Sequence, residues 1–263
     1  MDILEKITAF KREEVKSRKI MNPVSILEKS TFFKRSMPSF HAALAKPVPS
    51  VIGEYKRKSP SQGTINPAAD IRQVATGYQE AGIAAMSVLT DEEFFGGTNS
   101  DLQTVAGLLK IPVLRKDFII DEYQVIEAKS IGSGAILLIA SILSKKEVDI
   151  LSGIAHDLGM DILFEIHDLM DLDKMNQNIK IVGVNNRNLK TFKVSIKNSN
   201  ELFHHLPHDC LKVAESGFQT IEDVQHLFYM GYDAFLIGER FMKTEDPGKA
   251  ALQFINNLKT MIE

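Results

Sequence analysis

Residues 50–56 read SVIGEYK, an apolar run of strand length that ends in charged residues. Similar apolar runs follow at 84–89, 111–114, 135–139, 162–166, 181–184, 211–214 and 234–237. Their nearly continuous apolar character is typical of parallel strands that are buried on both faces. The segments between them are long enough for crossover helices, and helical patterns occur at 121–130, 144–158, 168–178 and 220–230. Ser144 with Glu147 predicts a capping box at the second of these helices.

The repeated strand–helix pattern predicts the fold class. About eight such units in about 210 residues indicate an α/β fold, a (β/α)8 TIM barrel, with an open doubly wound sheet as the alternative. Residues 1–46 precede these units, and their apolar residues recur at roughly helical spacing between charged ones. We therefore predict one barrel domain over residues 1–263, with residues 1–46 as a helical N-terminal extension. Whether this extension gates a site or caps the barrel stays open.

The composition excludes several classes of protein. With 31 basic and 34 acidic residues the net charge is −3, which argues against a nucleic-acid partner. No apolar stretch reaches the roughly 18–20 residues of a membrane span. The single cysteine, Cys210, permits no intrachain disulfide and fits a cytoplasmic location. His204, His205 and His208 lack the spacing of a metal site, so we expect no metal.

Polar side chains follow nearly every apolar run, where a barrel of this kind carries its active site. The candidates are Glu54, Lys56, Lys116, Glu165, Asn185, Arg187 and Glu215. Glu54 and Lys56 are two residues apart, as are Asn185 and Arg187, so each pair points to one side of its strand. Three buried carboxylates and three cations would neutralise one another and shift pKa values, which suits acid–base chemistry. For any single pair, a structural ion pair or a solvated charge is the alternative.

The loops after the seventh and eighth runs predict a phosphate site. They contain Ser216-Gly217 and Gly238-Glu239, and barrel enzymes frequently bind phosphate at these two loops. Glycine lets backbone N–H groups approach an anion closely, and of Glu239 only this backbone group would serve. Lys56 would add positive charge. The cationic loop 56–63 predicts a mobile lid over an anionic substrate, with a solvated surface loop as the alternative.

Several segments together resemble the indole-3-glycerol-phosphate synthase family. They are 52–63 (IGEYKRKSPSQG), 89–91 (LTD) with 94–97 (FFGG), 112–118 (PVLRKDF), 164–167 (FEIH), 183–189 (GVNNRNL), 214–217 (AESG) and 236–239 (LIGE). They occur in the family's order and span nearly the whole chain. Gly53 stands where alanine is common and Tyr55 where an aliphatic residue is common, but neither departure removes a reactive group. The resemblance implies a barrel enzyme of tryptophan biosynthesis that closes, decarboxylates and dehydrates 1-(2-carboxyphenylamino)-1-deoxyribulose 5-phosphate.

The same resemblance implies a role for each candidate. Lys116, held in place by Glu54, would be the general acid of ring closure, and Glu165 the main acid–base carboxylate of dehydration. Either Lys56 or Lys116 would be the acid that assists dehydration. The remaining catalytic or substrate-orienting residues would be Asn185, Arg187 and Glu215. Phosphate would be bound by Lys56, Ser216, Gly217, Gly238 and Glu239. The aryl ring would pack on Pro60, Phe95, Phe118, Leu137 and Leu189, with Ser59 as a further substrate-binding residue.

The resemblance implies no metal and no organic cofactor, because no redox step occurs. The expected partner is a small anionic substrate, bound by a monomer or weak homo-oligomer. One alternative is another phosphate-binding barrel such as phosphoribosylanthranilate isomerase, which would need a Cys and Asp acid–base pair, whereas Cys210 lies at the start of the seventh run. Another is a non-catalytic barrel that binds sugar phosphate, which should have lost some of Lys116, Glu165 and Glu54.

Overall fold

The computed structural model describes residues 3–187, 194–218 and 220–262. Eight parallel strands close into a barrel in which sequence neighbours pair and β8 returns to β1. The strands are β1 Ser50–Tyr55, β2 Ala85–Leu89, β3 Val113–Lys116, β4 Ala135–Ile139, β5 Asp161–Ile166, β6 Ile181–Asn185, β7 Leu211–Glu215 and β8 Ala234–Ile237. The TIM barrel is thus confirmed and the open sheet is excluded. Each strand begins and ends within two residues of its predicted run.

Helices surround the barrel and form the N-terminal extension. They are α1 Ile3–Met21, α2 Val24–Leu27, α3 Phe40–Leu44, α4 Ile71–Glu80, α5 Glu92–Phe95, α6 Asn99–Leu108, α7 Glu122–Ser130, α8 Lys145–Asp157, α9 Lys197–Leu202, α10 Ile221–Met230, α11 Glu239–Met242 and α12 Pro247–Ile262. Ser144 and Glu147 form the predicted capping box at α8. Within the described ranges, no helix is long and apolar enough to span a bilayer.

The prediction of a helix over residues 168–178 is wrong in its length and in the type of helix. Only a 3-10 segment, Leu169–Lys174, forms there. The Asn176 side-chain oxygen accepts a hydrogen bond from the Asn178 backbone N–H at 3.0 Å, and the Asn176 amide donates to Asp149 of α8. Such local bonds from asparagine compete with helical hydrogen bonds, so the chain turns instead of continuing as a helix.

Alternation along each strand divides the apolar side chains between two cores. Ile52, Leu114 and Leu137 belong to the cluster inside the barrel, whereas Val51 and Ile136 pack against the outer helices. The inner cluster also receives side chains from the extension, namely Ile7, Phe40 and Leu44. The extension is therefore packed into the barrel interior as well as against its surface.

The two ends of the extension close opposite ends of the barrel. At the end where strands begin, the Ser39 hydroxyl and the His41 backbone N–H both donate to Asp161, the first residue of β5, at 3.0 Å. The Ser50 hydroxyl donates to the Leu44 carbonyl at 3.2 Å. Helix α3 is thereby held at the entrance of the strands, where it seals the barrel bottom.

At the other end, α1 is fixed by a buried lysine. Lys11 is 1% exposed, and its Nζ lies 2.8 Å from Asp91 and 3.0 Å from Asp117, which are both buried. Burial opposes the charge of Lys11, but Asp117 and Asp91 outweigh it and raise its pKa. Asp117 is also 3.1 Å from the buried guanidinium of Arg115. Helix α1 is thus joined to the loops after β2 and β3, beside the barrel mouth.

We predict that Lys11→Met destabilises the protein by roughly 3–5 kcal/mol, because it leaves Asp91 and Asp117 buried without their lysine. Urea unfolding followed by circular dichroism measures this loss. Lys16→Met on the same helix is the matched control, since Lys16 is 68% exposed and should change stability by less than about 0.5 kcal/mol. Equal stability of the two variants would contradict an anchoring role for Lys11.

Candidate active site

A cavity lies at the mouth of the barrel where the strands end. The predicted residues that line it are Glu54, Lys56, Ser59, Pro60, Phe95, Lys116, Phe118, Leu137, Glu165, Asn185, Arg187, Glu215 and Ser216. They come from most of the strands and from the loops that follow them. The barrel therefore brings together side chains that are far apart in the chain, as the strand-end pattern predicts.

Lys116 is at the centre of this cavity, between two carboxyl groups. Its Nζ lies 2.9 Å from Glu165 Oε2 and 3.5 Å from Glu215 Oε2. Lys116 is 14% exposed, whereas both glutamates are almost completely buried. The expectation that Glu54 holds Lys116 in place is therefore wrong as a direct contact, because the carboxyl groups beside Lys116 are those of Glu165 and Glu215. Glu54 instead lies 2.5 Å from Lys56, because Lys56 follows β1 directly and is two residues from Glu54, so both side chains point to one side of the chain.

The buried charges shift one another's pKa values. Burial opposes the charge of Lys116, but Glu165, Glu215 and the more distant Glu54 outweigh it and raise the lysine pKa. Burial also opposes ionisation of Glu165, yet Lys116 and then His167 lower its pKa to about 2. Burial and repulsion from Glu165 raise the pKa of Glu215 to about 8 despite Lys116. At neutral pH the site therefore holds a Lys116–Glu165 ion pair beside a protonated Glu215.

Arg187 joins three loops at the cavity edge. Its backbone N–H donates to the Asn185 side-chain oxygen at 2.9 Å, which fixes the turn after β6. Its guanidinium donates to Ser61 Oγ and to Glu239 Oε2, both at 3.2 Å. Ser61 belongs to the loop after β1, where Lys58–Ser59 and Gly63–Thr64 form a two-stranded ladder. Arg187 thus connects the loop after β1 to the end of β8.

A cationic pocket adjoins the cavity at the loops after β7 and β8. Its lining includes Lys56, Arg187, Ser216, Gly217, Gly238, Glu239 and Lys243. Ser216 and Gly217 have φ values of +66° and +90°, so the chain makes a left-handed turn at this point. The Glu239 carboxylate is occupied by Lys243 at 2.6 Å and by Arg187. The predicted phosphate residues thus share one pocket in which the side chain of Glu239 already has cationic partners.

The opposite side of the cavity is apolar. The rings of Phe95 and Phe118 lie 5.9 Å apart between centroids, and Pro60 and Leu137 complete the predicted wall. Leu189, the remaining residue predicted for this wall, lies outside the described residues. A flat aromatic group fits such a surface.

Sequence reasoning missed several residues of the site. Ile3, Leu4 and Ile7 of α1 line the cavity beside Phe95. Helical periodicity indicated an apolar face on α1 but not what that face would contact. Gly238 was expected to expose its backbone to phosphate, yet a Cβ there would also lie 2.6 Å from Glu54 Oε1. Within the described ranges, no three His, Cys, Asp or Glu side chains are grouped as a metal site requires.

Comparison with known proteins relates nearly the whole chain to one family. A family model described as indole-3-glycerol phosphate synthase matches residues 4–254. A Bacteroides thetaiotaomicron protein of that name is 42% identical over 258 residues, which cover 98% of this chain and 99% of the relative. A Caldanaerobacter subterraneus protein of the same name is 43% identical over 248 residues, covering 93% and 94% of the two chains.

Solved structures of distant sequence share the fold. The 3-hexulose-6-phosphate synthase of Salmonella typhimurium superposes with a TM-score of 0.63 at 11% identity, covering 80% of this chain and 99% of that one. The structure of KGPDC from Streptococcus mutans gives a TM-score of 0.61 at 11% identity, covering 82% of this chain and 100% of that one. At this identity the likeness supports the barrel alone.

We predict that Glu215→Gln changes how stability depends on pH. Folded Glu215 keeps its proton up to about pH 8, whereas its ordinary pKa is 4.5. The stabilisation from this group is therefore full below pH 4.5 and is lost as the pH rises towards 8. Across this window the unfolding free energy of the wild type should fall relative to that of the variant, by up to about 1.4 kcal/mol per pH unit.

Urea unfolding at a series of pH values within that window measures the difference. Glu201→Gln is the control, because Glu201 is 61% exposed on α9 and its replacement should leave the wild-type slope unchanged. Parallel slopes for the wild type and Glu215→Gln would contradict a protonated Glu215 at neutral pH.

Proposed function

The chain belongs to the indole-3-glycerol phosphate synthase family, and we propose which of its residues perform the reaction. It is a decarboxylating lyase of tryptophan biosynthesis. The reaction converts 1-(2-carboxyphenylamino)-1-deoxyribulose 5-phosphate to indole-3-glycerol phosphate, CO2 and water. The assignment of residues rests on one observation, the 2.9 Å contact between Lys116 and Glu165 in a cavity with an apolar and a cationic side.

The two sides of the cavity match the two ends of the substrate. The aryl ring packs on Pro60, Phe95, Phe118 and Leu137, together with Leu189 from the resemblance. The phosphate binds at Lys56 and at the backbone N–H groups of Ser216, Gly217, Gly238 and Glu239. Ser59 supports the aryl end, because it lies beside Pro60 in the cavity wall. The reacting ketone then lies between these ends, within reach of Lys116.

Ring closure requires a proton donor at the ketone oxygen. Lys116 is the general acid, because its raised pKa keeps the ammonium charged while two carboxyl groups orient it. As the aryl carbon attacks, the C=O electron pair moves to oxygen and takes the Lys116 proton. Loss of CO2 then returns an electron pair to the ring system. Asn185 and Arg187 orient the substrate hydroxyls and carboxylate from the end of β6.

Dehydration requires a base for a carbon-bound proton and an acid for the departing hydroxyl. Glu165 is the base, since Lys116 and His167 keep it ionised despite burial. Glu215 carries a proton at neutral pH and helps to orient the substrate hydroxyls. Lys56, held by Glu54 at 2.5 Å, lies closer to the phosphate pocket than Lys116 does, so it serves phosphate and Lys116 serves as the dehydration acid.

The alternatives lack comparable support. An isomerase that used cysteine as its acid would need this side chain at the barrel mouth. Cys210 instead precedes β7, at the opposite end of the strand, and its thiol faces the carbonyl of Ile179 at 3.5 Å. A barrel that only bound sugar phosphate would not need the Lys116–Glu165 contact.

Purified protein mixed with the carboxyphenylamino ribulose phosphate should produce indole fluorescence, against a low background because the chain contains no tryptophan. Lys116→Met and Glu165→Gln should each lower kcat/KM by roughly 10²-fold or more, since each removes a proton-transfer group. Lys110→Met and Glu80→Gln are controls of the same chemical change at exposed positions and should retain wild-type turnover. Wild-type turnover in Lys116→Met or Glu165→Gln would refute the role of that residue.

We also propose that residues 1–263 act as one domain, in the cytoplasm, as a monomer or weak homo-oligomer. The extension supplies cavity residues to the barrel, and each group assigned above comes from the same chain. A biosynthetic role and a buried, unpaired Cys210 support the location. Light scattering across a range of protein concentrations should give a monomer mass at low concentration, with activity per chain unchanged. A concentration-independent oligomer would contradict this proposal.

A further inference from the structure

His167 is a partly buried titratable residue beside the site, and in the steps above it only helps to keep Glu165 ionised. It follows β5 two residues after Glu165, so both side chains point to the same side of the chain. Its Nε2 lies 3.5 Å from Glu165 Oε1, and its side chain is 15% exposed. The histidine is therefore placed between Glu165 and the protein surface.

Glu165 has a different partner at each of its two oxygens. Oε2 contacts Lys116 at 2.9 Å, whereas Oε1 faces His167. The three side chains thus form a row in which Glu165 occupies the middle. A carboxylate that gains a proton at one oxygen can deliver it on its other side when the carboxyl group rotates, so this arrangement can pass a proton along the row.

The backbone groups of His167 are hydrogen-bonded, whereas its ring nitrogens are not. The backbone N–H donates to Asp171 at 2.9 Å, and the carbonyl accepts from the Asn198 amide at 3.3 Å. Both ring nitrogens are buried, and in the described part of the chain neither has a hydrogen-bond partner. Leaving buried polar groups unpaired costs about 1–3 kcal/mol each, so such a group calls for a functional explanation.

The charged groups around this ring come from β5 and from the segment that follows it. Glu165 faces it from β5, while Asp171 and Lys174 come from the 3-10 segment that follows. Lys174 is directed to the Ala140 carbonyl at 2.7 Å and to Asp171 at 3.5 Å. Helix α9 contributes the neutral amide of Asn198. Among the described residues, the charged group nearest the ring is thus a carboxylate.

The reaction itself consumes one proton in each turnover. The substrate carboxylate leaves as neutral CO2 when its C–C bond breaks, and the ketone oxygen leaves as water after it gains two protons. One proton is lost from carbon to Glu165 during dehydration. Two protons gained and one lost leave a deficit of one, which the solvent must supply to a cavity in which Glu165 is 2% exposed and Lys116 is 14% exposed.

We propose that His167 is the residue through which this proton enters the site, an inference that rests on the proposed function. Rotation of the imidazole brings one of its nitrogens, both of which are buried in this structure, from Glu165 Oε1 to the surface. After ring closure the imidazolium gives its proton to Oε1 of the ionised Glu165, and rotation of the carboxyl group carries this same proton to the neutral amine of Lys116, which leaves Glu165 ionised again. His167 ends neutral and regains a proton from solvent, so the lysine is ready to act as an acid again. Histidine suits this task because its ordinary pKa lies near neutral pH.

Two variants separate proton delivery from packing. His167→Gln retains a polar side chain of similar length that cannot titrate, and His167→Ala leaves space for added imidazole. We expect kcat to fall by about 10-fold or more in both, with KM changed by less than about threefold. The loss should deepen as the pH rises, and imidazole should restore part of the kcat of His167→Ala. His156→Gln, an exposed histidine in the last turn of α8, should match the wild type throughout.

Several results of these experiments would overturn the proposal. A wild-type kcat for His167→Gln at every pH overturns it, and so does a loss that is independent of pH and unaffected by imidazole in a variant with wild-type circular dichroism. A rise in KM alone also overturns it, since this would mark a residue that only positions substrate. If the wild type forms no indole product, the proposed function fails instead, so the two failures are distinguishable.

Discussion

Strand β8 pairs with β1, Val51 beside Phe235, and this pairing closes the sheet so that all eight strands end at one mouth. Closure sets the positions of the site residues around the cavity, and the register between strands sets their positions along the barrel axis. Asn185 is opposite Glu215 across β6 and β7. Gly183 on β6 leaves the space that the Glu215 carboxyl occupies, because a Cβ at that position would collide with it. An open sheet would leave these charges at separate edges, without their partners.

The segment Leu114-Arg115-Lys116-Asp117 shows how one strand serves both chemistry and anchorage. Lys116 points into the mouth and meets Glu165, while Arg115 and Asp117 belong to the buried ion network on the other side of the strand. Lys11 of α1 contacts Asp117 in this network. It also contacts Asp91, whose side chain accepts a hydrogen bond from Phe94 N–H and so caps the short helix that carries Phe95. The same set of contacts therefore fixes helix α1, the helix that carries Phe95 and the strand that carries Lys116.

The site contains more carboxyl groups around Lys116 than a single ammonium can balance. Lys116 stabilises the ionised form of Glu165, and Glu215 keeps a proton because burial and Glu165 both oppose its charge. Two carboxyl groups in one cavity thus differ widely in pKa, which is the usual way that a protein separates a base from a neutral partner at the same pH. The low exposure that produces these shifts also restricts the supply of protons, so a turnover that consumes one needs a defined route.

Local patterns in the sequence determined the strands, the capping box at Ser144 and Glu147, and the set of polar residues at the strand ends. Each of these features depends on a few neighbouring residues. Closure of the barrel then brings the strand ends, and with them the polar residues, to one mouth. The tertiary structure alone decided which charges pair. Lys11 and Lys16 are both lysines of helix α1, yet Lys11 is 1% exposed and Lys16 is 68% exposed. Lys116 likewise pairs with Glu165 and Glu215 rather than Glu54, because ion pairing depends on distances across the barrel that sequence spacing does not contain.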